Sequence, residues 1–373
     1  MNVEGKSIGV CAGPALDPRD QEAPALTREH PGEIEDQLPD AADAHARPAR
    51  TLAGRATAGA RSGFKRYTRE LMEAVRAARR APEDAPDCEH ARQWAARAGS
   101  HELGAMWIGH ATMLLHIGGK TVLTDPVFSE RIGMTVNLEG LVPAGGITFG
   151  LSRLARPALS VGSLPPIDLV LLSHAHFDHL DRPSLAKLAR GAARGATVVT
   201  ARNTSRLVPR TGFGRIVEVD WNNTVRAAGL TIDAVKPAHW GARTAIDHFR
   251  KWNAYVVQSD RAGEGKKRAF FAGDTALTDA FDRVGPVDLA IFGIGAYDPW
   301  HDAHATPEQA WAMFRGMGAR RLAPMHHSTF RLSEEPLGEP MQRLRRAAGP
   351  DGDRIICPEI GSCWSQPGGA NAR

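Results

Sequence analysis

Ile167-Asp168-Leu169-Val170-Leu171-Leu172-Ser173 runs directly into His174-Ala175-His176-Phe177-Asp178-His179. The first half is a short apolar run with the length of a buried strand. The second half packs three imidazoles and a carboxylate into six residues. Leu180-Asp181-Arg182-Pro183 follows, with Asp181 as the predicted N-cap and Pro183 at an early helical position. The cluster is thus predicted on a strand-to-helix loop at the carboxyl end of a strand, where open α/β sheets place ligands. Neutral imidazole and carboxylate are zinc donors. Burying them without a cation leaves polar groups unpaired, at a cost of about 2 kcal/mol or more each. His174 and His176 can face one ion while Asp178 and His179 face another, so one short loop can serve two metals.

The spacing H-x-H-x-D-H resembles that of the metallo-β-lactamase fold superfamily, and the later pieces of that pattern follow in order. Lys236-Pro237-Ala238-His239-Trp240 offers a third histidine, Phe270-Phe271-Ala272-Gly273-Asp274-Thr275 a bridging aspartate, and Ala323-Pro324-Met325-His326-His327 a final histidine. His327 stands where the family usually has an aromatic residue, so His326 and His327 both remain candidates; alignment on Thr329-Phe330 favours His326. One branch is similar in more places. Gly109-His110-Ala111-Thr112, Leu123 to Ser129, Leu164 to Asp168, Glu218 to Trp221, His239-Trp240 with Arg243-Thr244, and Ile294 to Pro299 resemble the N-acylphosphatidylethanolamine-hydrolysing phospholipase D family. The similarity runs from about Leu103 to about Trp364. Sugar-phosphate lactonases share parts of it.

The resemblance implies an α/β fold, a metallo-β-lactamase-like four-layer αββα sandwich. It implies His174, His176 and His239 on one metal, Asp178, His179 and His326 on the other, and Asp274 bridging both. Two zinc ions are the expected cofactors, because nitrogen donors dominate and no cysteine is in the set; the donors also admit iron or manganese. The implied activity is a phospholipase D-type phosphodiesterase acting on N-acylphosphatidylethanolamine-like phospholipids through metal-bound hydroxide, with Asp178 and Asp274 in the catalytic centre. Two divalent ions outweigh two carboxylates and one hydroxide by a single positive charge. That surplus suits a monoanionic phosphodiester, and equally the oxyanion of a lactone or other carboxylic ester. A lactonase is therefore the rival enzyme, and a non-catalytic metal-binding regulatory protein the rival outside enzymes.

Several side chains have roles to assign from local context. His304 precedes a predicted helix, with Thr306 as N-cap, Pro307 first and Gln309 closing a capping box. A helix N-terminus disfavours imidazolium, so a neutral His304 can donate to a substrate oxygen or simply serve as a surface histidine. Asp125 ends a strand and is expected to orient a ligand histidine. His110 lies near the same sheet edge, either approaching the site or buried elsewhere. Trp240, Tyr297, Trp300 and Phe330 are candidates for lining a substrate pocket. His90, His101, His116, His248 and His301 show no partner pattern.

The chain has 373 residues, 42% hydrophobic, a formal net charge of +4 and four cysteines without a C-x-x-C pair. Its pI is about 9.0 and its mean hydropathy −0.30. No basic stripe with interleaved aromatics appears, so nucleic acid is not an expected partner. A small-molecule or phospholipid substrate is, with peripheral membrane contact as an option. No apolar stretch reaches the length of about 18 residues that a span needs. The N-terminus lacks a basic start followed by an apolar core, and the expected location is cytoplasmic, with reduced thiols. The predicted organisation is a disordered lead over 1–60, a helical extension over 61–102, the hydrolase domain over 103–365 and a disordered tail over 366–373. Within the extension, Phe64, Tyr67, Leu71 and Val75 recur at helical spacing amid arginines, as a solvated basic face or a membrane-surface helix. Strands are predicted at 106–108, 113–117, 121–124, 197–200, 216–219, 230–232 and 289–292, with Gly118-Gly119 as a hairpin turn. Residues 126–163 read as a long connecting loop.

Overall fold

The computed structural model describes residues 88–97, 101–137, 146–260 and 266–366. The predicted disordered lead and tail fall outside these, apart from residue 366, as does the helix predicted from Phe64 to Arg80. One sheet has seven strands in the spatial order β15 (Cys363–Ser365), β1 (Leu103–Gly109), β2 (Thr112–Ile117), β3 (Lys120–Thr124), β6 (Leu169–Leu172), β7 (Thr197–Ala201) and β8 (Arg215–Val219). The other has six, ordered β14 (Arg321–Met325), β13 (Leu289–Gly293), β12 (Arg268–Phe271), β11 (Ala254–Ser259), β10 (Leu230–Val235) and β9 (Thr224–Ala227). The helices are α1 (Glu89–Ala96), α2 (Arg182–Arg190), α3 (Pro307–Gly316) and α4 (Glu339–Ala348).

Both faces of each sheet are covered, which is why β6 reads Leu-Val-Leu-Leu rather than alternating with polar residues. Leu169 and Leu171 join Phe271 and Ile291 in the core between the sheets. Val170 and Leu172 turn the other way, against Leu185 and Leu188 of α2. On the far side Phe270 and Phe292 pack against Trp311 and Phe314 of α3 and Leu344 of α4. The result is the four-layer αββα sandwich, with each fully buried Leu or Phe contributing about 1.5–3 kcal/mol. Among the described residues, no helix is long and apolar enough to cross a membrane.

The local punctuation acts as its chemistry dictates. Gly118 and Gly119 both take positive φ, 58° and 77°, in the β2–β3 turn. Thr306 and Gln309 form the reciprocal capping box of α3. Asp181 holds the N-cap position of α2, but its carboxylate accepts the hydroxyls of Ser129 and Ser184.

Two features differ from the sequence reading. The connection after β3 contains a strand pair, β4 (Arg131–Asn137) against β5 (Gly146–Ser152). Its glycines are structural. Gly133 faces Gly150, and a Cβ on Gly133 would stand 1.9 Å from the Phe149 carbonyl oxygen. β9 and β11, unassigned on sequence, are made strands by pairing on either side of β10. Cys357 and Cys363 are free thiols.

Strand direction positions the site. β3, β6, β7 and β8 run parallel in one sheet. β12, β13 and β14 run parallel in the other. The loops after β3, β6, β10, β12, β13 and β14 emerge at one edge of the sandwich.

Candidate metal centre

The loop after β6 is organised by a carboxylate on the neighbouring strand. Asp125 directly follows β3, is fully buried and takes a left-handed φ of 29°. Its Oδ1 accepts the Ser173 N–H at 2.7 Å, while its Oδ2 lies 2.5 Å from Ser173 Oγ and 2.7 Å from His179 Nδ1. A carboxylate can only accept here, so Nδ1 of His179 carries a proton and Nε2 is turned to the centre. That Nε2 is 3.0 Å from Asp274 Oδ2. The expectation that Asp125 orients a histidine of the cluster matches this geometry.

Two groups of four donors meet across Asp274. In the first, His174 Nε2 is 2.8 Å from His176 Nδ1, and His239 Nε2 is 3.3 Å from the same atom. Asp274 Oδ2 lies 3.8 Å from the Nε2 atoms of both His174 and His239. His239 is turned inward by its Nδ1–H, which donates to the Ala303 carbonyl at 3.0 Å. In the second group, Asp178 Oδ2 lies 3.0 Å from His110 Nε2, 3.3 Å from His326 Nε2 and 3.5 Å from His179 Nε2. Asp274 reaches this group too, its Oδ1 standing 3.4 Å from His326 Nε2. Within each group the donor atoms all lie within 4.8 Å of one another.

The residues fit a cation. Imidazole nitrogens crowd together there, as His326 Nε2 and His179 Nε2 do at 3.2 Å. Asp274 Oδ1 is buried without a hydrogen-bond partner. Burial pushes His239 down to about 3 and His304 down to about 4, so both are neutral near pH 7. Burial also acts to raise the Asp178 and Asp274 carboxyls. The surrounding imidazoles, His179 foremost, overcome it and hold both well below the usual carboxylate range. Burial opposes charge on His179 as well, yet Asp274, Asp178 and Asp125 outweigh it and draw its pKa above the ordinary value. The two carboxylates thus call for positive charge at the point where the groups meet.

All seven candidate metal residues converge at this centre. The ambiguity between His326 and His327 resolves by direction: His327 stacks on Trp107, ring centres 4.4 Å apart, and its Nδ1 meets Ser328 Oγ. His110 belongs to the centre, delivered by an irregularity in the β1–β2 register after Trp107 and by its own left-handed φ of 53°. Bulges re-aim side chains in this way. The signal in the sequence is the glycine before it, Gly109, with φ 141°. His304 stands at the mouth, its Nδ1 3.9 Å from Asp274 Oδ2 and its ring stacked 5.3 Å from that of His326. Trp240, its ring centre 4.4 Å from that of His239, is about half exposed at 46%, and Trp300 is exposed at 55%. The Tyr297 hydroxyl donates to Glu339, turning that ring away, whereas Phe330, edge-on to His110, lines a cavity beside His326 together with Ala296 and Leu332. His101 and His116 lie remote from the centre, in a stack with Trp94.

Residues 120–327 match the family model of the beta-lactamase superfamily domain, more than half of the chain. The chain belongs to the metallo-β-lactamase superfamily, and with its His/Asp centre it is a metal-dependent hydrolase of that superfamily. It is 34% identical over 274 residues to an uncharacterised protein of Mycobacterium tuberculosis, covering 70% of this chain and 68% of that one. It is 27% identical over 286 residues to N-acyl-phosphatidylethanolamine-hydrolyzing phospholipase D 1 of Caenorhabditis elegans, covering 70% of this chain and 75% of the relative. These place it on the branch that holds the N-acylphosphatidylethanolamine phospholipases. The solved structure of an isothiocyanate hydrolase from Delia radicum gut bacteria shares the fold, with a TM-score of 0.52 and 18% identity over 70% of this chain and 98% of that one.

Proposed function

We propose that this chain is a dinuclear zinc phosphodiesterase that cleaves N-acylphosphatidylethanolamine-like phospholipids into phosphatidic acid and an N-acylethanolamine. The observation that carries the reading is the pair of donor groups sharing Asp274, whose Oδ1 is buried and without a hydrogen bond. His174, His176 and His239 would hold one ion, Asp178, His179 and His326 the other, and Asp274 both. When bound, two such ions supply Lewis acidity at the phosphate oxygens and a water acidified toward neutral pH. Nitrogen-rich donors without cysteine favour zinc.

The chain's own groups do the rest. Asp178 and Asp274 keep the net charge of the loaded centre low enough to release an anionic product. Asp125 fixes the lone pair of His179. Neutral His304, at the mouth and just before α3, donates an N–H to a substrate oxygen, which orients the ester and stabilises developing charge. Trp240 and Trp300 offer apolar surface beside the centre for an acyl chain.

The test is mass spectrometry of products from zinc-loaded protein incubated with N-acylphosphatidylethanolamine in mixed micelles. Phosphatidic acid with an N-acylethanolamine is the expected result, alongside two equivalents of zinc by elemental analysis. Intact phospholipid with both ions bound would overturn the phosphodiesterase reading and leave lactones and carboxylic esters as the substrates to try. Bound metal with no turnover on any ester would leave the regulatory role.

A further inference from the structure

The connection from β10 to β11 delivers more than His239. It is a folded loop, closed on itself. Gly241 runs so near Lys251 that a Cβ would stand 2.5 Å from the Lys251 carbonyl oxygen. Asp247 accepts the Thr244 N–H at 2.7 Å and the Arg250 Nε–H at 2.6 Å. Arg243 lies inside this frame and reaches across to the other ligand loop. Its Nη1 donates to the Ala175 carbonyl and to the Leu180 carbonyl, each at 2.8 Å. Its guanidinium carbon lies 3.9 Å from the centre of the Phe177 ring.

These contacts bracket the whole H-x-H-x-D-H segment. Ala175 sits between His174 and His176, Leu180 follows His179, and both are fully buried. Buried carbonyls need donors, and here one nitrogen with two hydrogens serves both ends of the loop. A planar guanidinium can do this while stacking on a ring; a lysine ammonium cannot do both. We infer that Arg243 is a positioning residue that locks the His239 loop onto the His174–His179 loop, and so sets the separation of His239 from His174 and His176. The inference rests on the metal-centre reading above. It assigns Arg243 to the first donor group, whose three histidines come from the two loops it joins. The second group is supported independently, by Asp125 on His179.

The test is chelator competition on the full-length chain loaded with Co2+ or Zn2+, read by metal content and the Co2+ absorption spectrum. Thermal unfolding of the metal-free protein serves as a fold control. Arg243→Ala is expected to weaken one of two ions by about 10- to 100-fold, the range for losing a residue that orients a ligand, and to alter the Co2+ spectrum. Arg243→Lys should be intermediate, and Phe177→Leu, which keeps both carbonyl bonds, smaller still. Adding Arg243→Ala to His239→Ala should change little, whereas adding it to Asp178→Asn should remove the remaining ion. Wild-type affinities for both ions in Arg243→Ala and Arg243→Lys would overturn the inference even if their unfolding temperatures dropped. If Arg243→Ala does not fold, Arg243→Lys and Phe177→Leu still decide. Wild-type protein that binds no metal would instead sink the metal centre, and this inference with it.

Discussion

The two donor groups differ in how they are held. The first draws on separate loops, and its orientation comes through backbone carbonyls: that of Ala303 on His239, and those of Ala175 and Leu180 held by the Arg243 guanidinium. The second lies against the strand ends, and its orientation comes from charge. Asp125 fixes His179, and His110 meets Asp178. Carboxylate–imidazole support at a buried site is stronger than carbonyl support, because ionised acceptors make the stronger hydrogen bonds. The second group is therefore the better preorganised, and the first depends more on its loops.

The largest expected effect falls on the residue common to both. Asp274→Ala should abolish turnover and weaken both ions by more than about 100-fold, exceeding the loss of any single outer support. Two full equivalents of metal in that variant would show that Asp274 is not shared. Asp178→Asn should weaken mainly the second ion. Asp125→Ala tests the charge-held group: the second ion should weaken by about 10- to 100-fold, and the first, which Asp125 reaches only through Ser173 and His174, clearly less, as measured by chelator titration. Equal weakening of both would erase the distinction between the groups. His304→Ala should lower turnover by about 100-fold or more, the scale of a positioned donor or acid–base group, and leave two metals bound; unchanged turnover would remove His304 from the reaction.

The smallest effect belongs to the neighbour that points away. His327→Phe should retain both metals, since its ring packs on Trp107. Burial, then His326, pushes the folded His327 down to about 3 from the ordinary 6.5. Between those values the unfolded chain binds more protons, so this histidine costs stability as pH falls from about 6.5 toward 3. Urea unfolding of the metal-free protein at pH 7.5 and 5 should therefore show a shallower acid loss in His327→Phe than in wild type. An unchanged pH slope would contradict a buried, neutral His327.

Much of the site was legible because its metal-centre residues lie one to seven positions past strand ends. A buried strand announces itself by an apolar run, and polar donors directly after such a run have few structural reasons to be there. Asp125 could be assigned on that logic before any contact was known. His110 could not, because the register irregularity after Trp107 and a left-handed backbone turn it inward, and one-residue shifts leave no periodic trace. Tyr297 was misjudged as pocket-lining for the converse reason: an aromatic in a loop looks the same whether it faces solvent or the core. The β4–β5 pair was hidden because a cross-strand glycine pair has the composition of a loop.

By itself, the sequence determined the fold class, the strand-to-helix loop with its four donors, and the capping chemistry of α3. All three are local: they depend on hydrophobic period, on spacing within a few residues, and on side chains that bond their own backbone. The tertiary structure alone decided which of His326 and His327 faces the centre, that His110 joins it, and that Arg243 spans two loops far apart in the chain. Those depend on direction and on contacts between segments distant in sequence, set by how two sheets stack and which way each strand end turns.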